Sequence, residues 1–493
     1  MLAQRRSAIA VVVLAAAWIL LQSLAQKPDH DESQYVAGAV LALQGMPFRD
    51  FMLLQPPLHA WLLAPLAWAW PTDMFIAMRL ATGLLALATL AIVYRTQRAI
   101  AVQGEAAFAS TLLMGCCASF QFCAGVVRND MAAVLLMSLG IWAMVLKTQD
   151  WDGRSLVAGL AFGLAVATKL SIAPVAAAAG LHLLLDRRER PRALPMFAVG
   201  SAIGLAPAAF AFVLAPEAFR WGVFTFAATA PFDWYGRIGA ADELTMAEKA
   251  SDLVGYMLVG PALIVLLLVA CWAHRTGAVR AGQGRLLILL ILGGIAGAAL
   301  PTPTHKQYLL PILPPLFMAL GLVLADGRRA AVWQPLMLVS ALIGLAPAAV
   351  GFALAGAAGL PALAVDDTGD WVGSVMRARG SAGVVASLSP ERAADSGFPL
   401  DPRFATGPFV FRSGALLSHQ RARRLALPTP RSLEAILRAH PPAAILVGYE
   451  RVQRREERAL DLQMAAVARR MAWRPVRLPD GQGTLWLRPK AAS

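Results

Sequence analysis

The 493-residue chain is short of charge. Asp, Glu, Lys and Arg make up 15% of it, against about 25% in an average soluble chain. Hydrophobic residues reach 58% and the mean hydropathy is +0.58, which is more apolar surface than one soluble core can hide. An ordinary soluble enzyme is excluded, and a mainly α, polytopic helical membrane protein is expected. Cysteine is scarce as well. Cys116, Cys117, Cys123 and Cys271 all lie in apolar runs, so no disulfide framework is visible and the redox compartment stays open. The polar tail from about residue 366 has no phosphate-binding glycine loop and no metal-ligand spacing, and no repeat relates the two halves of the chain. His419 and His440 stand isolated and suit surface or packing roles.

What the chain does have is positive charge, +14 net. Its distribution argues against nucleic acid. Much of the excess sits in short loops between apolar runs, where it sets orientation. The rest lies in the last 138 residues, with 20 Arg and Lys against 12 Asp and Glu, a balance suited to anionic lipid headgroups. The N-terminal run resembles a signal peptide but is long for one, so a retained signal-anchor is expected.

Hydropathy predicts eleven spans: 7–25, 74–94, 106–125, 131–146, 155–168, 172–185, 195–215, 253–273, 286–300, 308–325 and 332–356. The pair 155–168 and 172–185 decides the parity of all that follows. Counted as two spans, it sends the loops at 3–6, 95–98, 147–154, 186–192, 274–285 and 326–329 to one side. Those loops hold 15 Arg and Lys in about 40 residues, and the opposite loops hold 8 in about 100. The expected arrangement is therefore a cytoplasmic N-terminus in a bacterial-type inner (plasma) membrane, with the C-terminal end outside. Residues 1–357 form the membrane domain. Its first outer loop, 26–73, carries two stretches ("QYVAGAVLALQ" and "PPLHAWLLAPLAWAW") that suit interfacial helices. Residues 358–493 read as a small outer α/β domain, with strands in "GSAGVVASLS", "PAAILVGYE" and "GTLWLRP" and helices in "RSLEAILRAH" and "RREERALDLQMAAVARRMAW".

This topology puts several polar clusters on the outer face: Asp31 and Glu32, the trio Arg128-Asn129-Asp130, Lys169, the segment 231–243 and "PTPTHKQY" at 301–308. Polar groups at a membrane boundary are costly unless used or paired, so one shared site is expected. A carboxylate there can take a hydroxyl proton as the hydroxyl attacks. Asp31 and Glu32 can also be read as ligands of a divalent metal, or as acids favouring the N-terminus of the helix after them. Lys169 suits a phosphate contact or a snorkelling lysine. Trp234 and Tyr235 suit stacking on a sugar ring or an interfacial anchor.

The stretches "DESQY" (31–35), Gly45 with "PFRDF", and "QPPLHAW" (55–61) resemble the first outer loop of the GT-C glycosyltransferase superfamily. The likeness is to the protein O-mannosyltransferase and lipid A aminoarabinose transferase group. "VVRNDMAAVLLMSLGIWAM" resembles its second acidic motif, "GLAFGLAVATKLS" its Gly-rich segment ending in Lys, and "THKQYLLPILPPLFMALG" a late span opening on a basic residue and Tyr. The resemblance covers residues 7–325. It implies a transferase that takes a sugar from a polyprenyl-phosphate carrier to a lipid, glycan or protein acceptor, with inversion. It implies Asp31 as catalytic carboxylate, Glu32 in support and Asp130 as second acid. Asp130 would lie near the acceptor or a metal with Arg128 beside it, Lys169, His305 and Lys306 would bind the carrier phosphate, and Tyr35, Gln55 and Tyr308 of the same motifs would be among the substrate-binding residues. Two departures stand out: Gln55 takes a place where the aminoarabinose enzymes carry Lys, and "RND" differs from the simplest second motif. The rival class is a secondary transporter of a polar or lipid-linked substrate, for which buried ionisable groups would mark the path.

Overall fold

The computed structural model describes residues 2–146, 151–186, 190–280, 282–325, 330–450 and 460–489. The basic loop at 326–329, parts of those at 147–154, 186–192 and 274–285, and the first six residues of the helix expected at 454–473 lie outside the described residues. Two compact units emerge. One comprises 1–26, 80–209 and 245–358; the other comprises 27–79, 210–244 and 359–493. The second unit thus adds the first loop and residues 210–244 to the tail that the sequence sets apart at 358.

The first unit is helical. It contains α1 (Leu2–Ala25) and, from Leu80 onward, α4 (Met74–Ala99). Among the described residues, five helices are long and apolar enough to cross a membrane, and three bent pairs raise this to eight if each pair is one span. The remaining expected spans correspond to Asn129–Val145, Gly153–Thr168 and Leu170–Leu185, apolar but shorter. The chain is a multi-pass membrane protein. Residues 155–185 are not one rod. A helix ends at Thr168, a 3-10 turn covers Leu170–Ile172, and a new helix runs Ala173–Leu185. The first packs on Asn129–Val145 and Arg190–Gly204, the second mainly on Gly282–Ala299.

The glycine pairs explain the first of these contacts. Gly159 and Gly163 face Gly200 and Gly204, each pair four residues apart. A Cβ on Gly159 would lie 2.0 Å from the Phe197 carbonyl oxygen, and one on Gly200 2.1 Å from that of Leu156. Only glycine lets two backbones approach so closely, a small-residue crossing of the kind lipid-embedded helices favour. It fixes the helix whose end delivers Lys169.

In the second unit, α2 (Glu32–Leu41) buries all ten of its residues. It is therefore a core helix of its unit, not one with an apolar face in lipid as its pattern suggested. Helix α3 (Leu58–Ala69) instead exposes Leu62 and Trp68, with Trp70 just beyond it. The tail forms a four-stranded sheet from β1 (Val385–Ser387), β2 (Ala444–Val447), β3 (Arg474–Arg477) and β4 (Thr484–Leu487). The order is β1-β2-β4-β3, with β1 parallel to β2 and the other pairs antiparallel. Ile445 and Trp486, paired across β2 and β4, pack with Leu433, Leu437 and Met464 of the covering helices. Strand β3 is absent from the sequence reading. "RPVR" is exposed at Arg474, Pro475 and Arg477 and lies at the sheet edge, where a proline costs no ladder bond.

Candidate active site

The predicted site residues fall into two sets, one in each unit. In the second unit, the turn before α2 holds Asp31 at the helix N-cap position. Its side chain makes no capping bond to the first-turn amides, so capping does not account for it. The carboxylate is 26% exposed. Its neighbour Glu32 is the opposite case. Glu32 and Arg79 are both fully buried, and the guanidinium donates to Glu32 Oε2 at 2.5 Å. The same oxygen accepts the Asp29 amide at 2.7 Å, and the Asp29 carboxylate accepts the Asp31 amide at 3.1 Å. Glu32 is thus the post on which the acidic turn hangs, and Asp31 is the carboxylate left accessible.

His30 completes this cluster. Its Nε2 lies 3.2 Å from Glu450 Oε1 and its Nδ1 4.0 Å from Asp31 Oδ1. Burial works against charge on the ring, but the carboxylates of Asp31 and Glu450 on its two sides outweigh it and lift the imidazole to about 9, so His30 is cationic at neutral pH. Tyr35 and Gln55 line one cleft with Gly38, Leu53 and His59, and the Tyr35 and His59 rings meet edge-on at 5.3 Å. About 10 Å³ is open there, room for roughly one water molecule and not for a sugar ring. Trp234 is buried, with Arg412 and Arg237 over its ring at 4.8 and 5.5 Å. It is a packing residue, not a bare platform for a sugar.

In the first unit, the chain enters Asn129–Val145 from an extended Arg128, and Asn129 ties this start to the Thr168 carbonyl at 3.0 Å. That bond brings Lys169 beside Asp130. Asp130 accepts from Lys169 on one oxygen and from Arg128 Nε, at 3.1 Å, on the other. Lys306 opens the 3-10 turn Lys306–Ile312 and stands 3.7 Å from the centre of the Phe122 ring. Arg128 lies 6.0 Å from that same ring. Lys169 approaches the Tyr308 ring at 5.4 Å, and His305 stands against Tyr308 at 5.8 Å. Arg128, Asp130 and Lys169 are buried. Two cations, Arg128 and Lys169, close on the Asp130 carboxylate, and Lys306 shares the Phe122 ring with Arg128.

A family model described as dolichyl-phosphate-mannose-protein mannosyltransferase matches residues 54–213. Among solved structures, ArnT from Cupriavidus metallidurans in the apo state is similar at a TM-score of 0.59, with 15% identity and 98% of each chain covered. The same protein bound to undecaprenyl phosphate gives 0.58 and 16%, again over 98% of both chains. The chain has the GT-C fold. An Archaeoglobus fulgidus oligosaccharyltransferase is similar over 90% of this chain and 69% of its own, at 12% identity and a TM-score of 0.49. No curated protein sequence matches significantly.

Within this GT-C fold the metal reading of the acidic turn does not fit. Among the described residues no three His, Cys, Asp or Glu side chains gather as metal ligands. Glu32 is taken up by a guanidinium, and a divalent cation shared with Asp31 would have to sit beside Arg79. Sequence reasoning missed Arg79, Glu450 and Phe122. Arg79 left a signal, a lone cation inside the apolar run "MFIAMRLATGLL". Glu450 left none, being 420 residues from the histidine it meets.

Proposed function

We propose that this GT-C protein is a membrane glycosyltransferase that moves a sugar from a polyprenyl-phosphate carrier to an acceptor hydroxyl at the outer face of a bacterial-type plasma membrane. The observation that carries the reading is the pairing of Arg128 and Lys169 on buried Asp130, with Lys306 on the Phe122 ring that Arg128 also approaches. A buried positive excess of this kind suits a phosphate leaving group, whose developing charge it would stabilise without a nucleotide-binding fold. The likeness to ArnT, solved with undecaprenyl phosphate bound, supports a lipid carrier.

In this mechanism the acceptor oxygen attacks the anomeric carbon as the bond from that carbon to the phosphate oxygen breaks. The leaving oxygen keeps the electron pair and is met by Lys169, Lys306 and Arg128. The hydroxyl proton passes to Asp31, and the anomeric configuration inverts. Glu32 and Arg79 hold the acidic turn. Asp130 keeps Lys169 and Arg128 in place, a supporting role that accounts for its lying between two cations.

The test compares lipids and surface glycans, by mass spectrometry, from cells with and without the protein and with the Asp31→Asn variant. Loss of one defined sugar in both the null and the variant is expected. Full retention in Asp31→Asn at parental protein levels removes Asp31 from the mechanism. Substrate uptake into vesicles with no glycosylated product would replace the transferase reading by a transporter.

A further inference from the structure

His30 and Glu450 have no part in the chemistry above, yet they converge on the residue that does. Glu450 belongs to the loop leaving β2, and that loop is built to present it. The amides of Gly448, Tyr449 and Glu450 all donate to one oxygen of Asp461, at 2.5, 3.2 and 3.3 Å. Gly448 adopts φ 110°, and a Cβ there would lie 2.3 Å from the Gln482 carbonyl oxygen. The Glu450 side chain is 7% exposed and meets His30 Nε2 at 3.2 Å. The other ring nitrogen faces Asp31. The imidazole is held edge-on to Phe409 at 4.8 Å, from the short helix Pro408–Arg412. The charges bearing on the ring are Asp31, Glu450 and Arg412. Behind Glu450 stand Asp461 and Glu391, each close enough to interact with it.

A carboxylate, an imidazole and a second carboxylate in sequence fix the ring: the first sets which nitrogen points where, and the ring then sets the second. We propose that Glu450, carried on the C-terminal sheet, and His30 are positioning residues for Asp31. The inference rests on the reading of Asp31 as the proton-accepting carboxylate. It gives the tail a role in the transfer reaction, because the strand-end loop, through His30, holds Asp31 in the geometry that receives the acceptor proton. His30 opposes random rotation of Asp31 and offers a cationic partner to its ionised form.

The experiment uses the purified full-length protein with synthetic undecaprenyl-phosphate-linked hexose, pentose and aminopentose as donor probes and a total cell-envelope lipid and glycan extract as the source of acceptor hydroxyls, reading the release of undecaprenyl phosphate. Parent, Asp31→Asn, His30→Gln, Glu450→Gln and the His30→Gln/Glu450→Gln double variant are compared. Each single change is expected to lower kcat about 10- to 100-fold, the loss typical of a misplaced reacting group, with the donor KM unchanged. The double variant is expected to lose no more than the worse single one, since both act through one path. If one variant fails to fold, the other decides by its kcat and KM. Parental kcat in His30→Gln or Glu450→Gln, or additive losses, overturns the positioning role while leaving Asp31 in place. Parental activity in Asp31→Asn, or no turnover of any probe by the parent, instead overturns the transferase reading on which the proposal stands.

Discussion

Removing either partner of the Glu32–Arg79 pair should unfold the second unit more readily, and removing both should restore it. Both side chains are fully buried and meet at 2.5 Å. Two unit charges about 4 Å apart attract by about 4 kcal/mol at the effective dielectric of a protein site. Taking each ion out of water costs several kcal/mol, so the pair as a whole gains little over an apolar replacement. A lone survivor loses the attraction and keeps the desolvation cost, about 3–5 kcal/mol. Glu32→Leu leaves Arg79 buried without that carboxylate, its guanidinium over the Phe75 ring at 5.0 Å. Arg79→Met leaves Glu32 as a buried anion bonded to the Asp29 amide. Each should lower the thermal midpoint by on the order of 10 °C. The assay is the intrinsic tryptophan fluorescence of the purified protein in detergent. Glu32→Leu/Arg79→Met should return to within a few degrees of the parent while activity stays low, because the Asp29 amide has lost its acceptor and the turn bearing Asp31 is loosened. Single variants as stable as the parent, or a double variant no better than the worse single one, would refute the reasoning. A double variant with parental activity would mean that Glu32 does not support Asp31.

Asp395 gives a pH prediction. It is 3% exposed and accepts the Met74 amide at 2.6 Å at the start of α4. Burial lifts its carboxyl from 3.8 to about 8, the Met74 amide opposes, and the charges of Asp366 and Asp73 add to the rise. The folded state therefore holds a proton that the unfolded state releases near 3.8, and stability should fall as pH climbs from about 4 through about 8. Asp395→Asn keeps an acceptor for Met74 and should flatten that decline in the thermal midpoint; an unchanged slope would count against the assignment. The glycine crossing gives a paired test. Gly200→Leu, whose Cβ would meet a carbonyl oxygen at 2.1 Å, should cost upward of about 3 kcal/mol or prevent folding. Gly351→Ala, in a helix with nothing within 4 Å of the new Cβ, should be neutral or stabilising by about 0.5–1 kcal/mol. Equal folded yields of the two on size-exclusion chromatography would deny the close crossing.

The membrane class and the helical segments were written in composition and run length. Transfer of apolar side chains to lipid is additive along a helix, and an isolated segment already carries the information. The acidic turn, "RND", Lys169 and "THKQY" were legible because few polar residues interrupt the apolar runs, and each such interruption requires a use or a partner. Strand β3 was not legible, since an edge strand with two arginines and a proline has no buried face to impose alternation. Nor was the burial of α2, whose pattern of small apolar residues fits an interface as well as a core.

The sequence by itself determined where charge stands along the chain: an aspartate and a glutamate side by side at 31 and 32, and an aspartate and a lysine 39 positions apart. The tertiary structure decided what each charge does. Adjacent acids took different fates because Glu32 is fully buried against Arg79 while Asp31 stays 26% exposed, and Asp130 is held because Lys169 and Arg128 close on it from two sides. Glu450 acquired a connection to the acidic turn from 420 residues away. Electrostatic energy depends on distance and burial in three dimensions, and neither is a property of position along the chain.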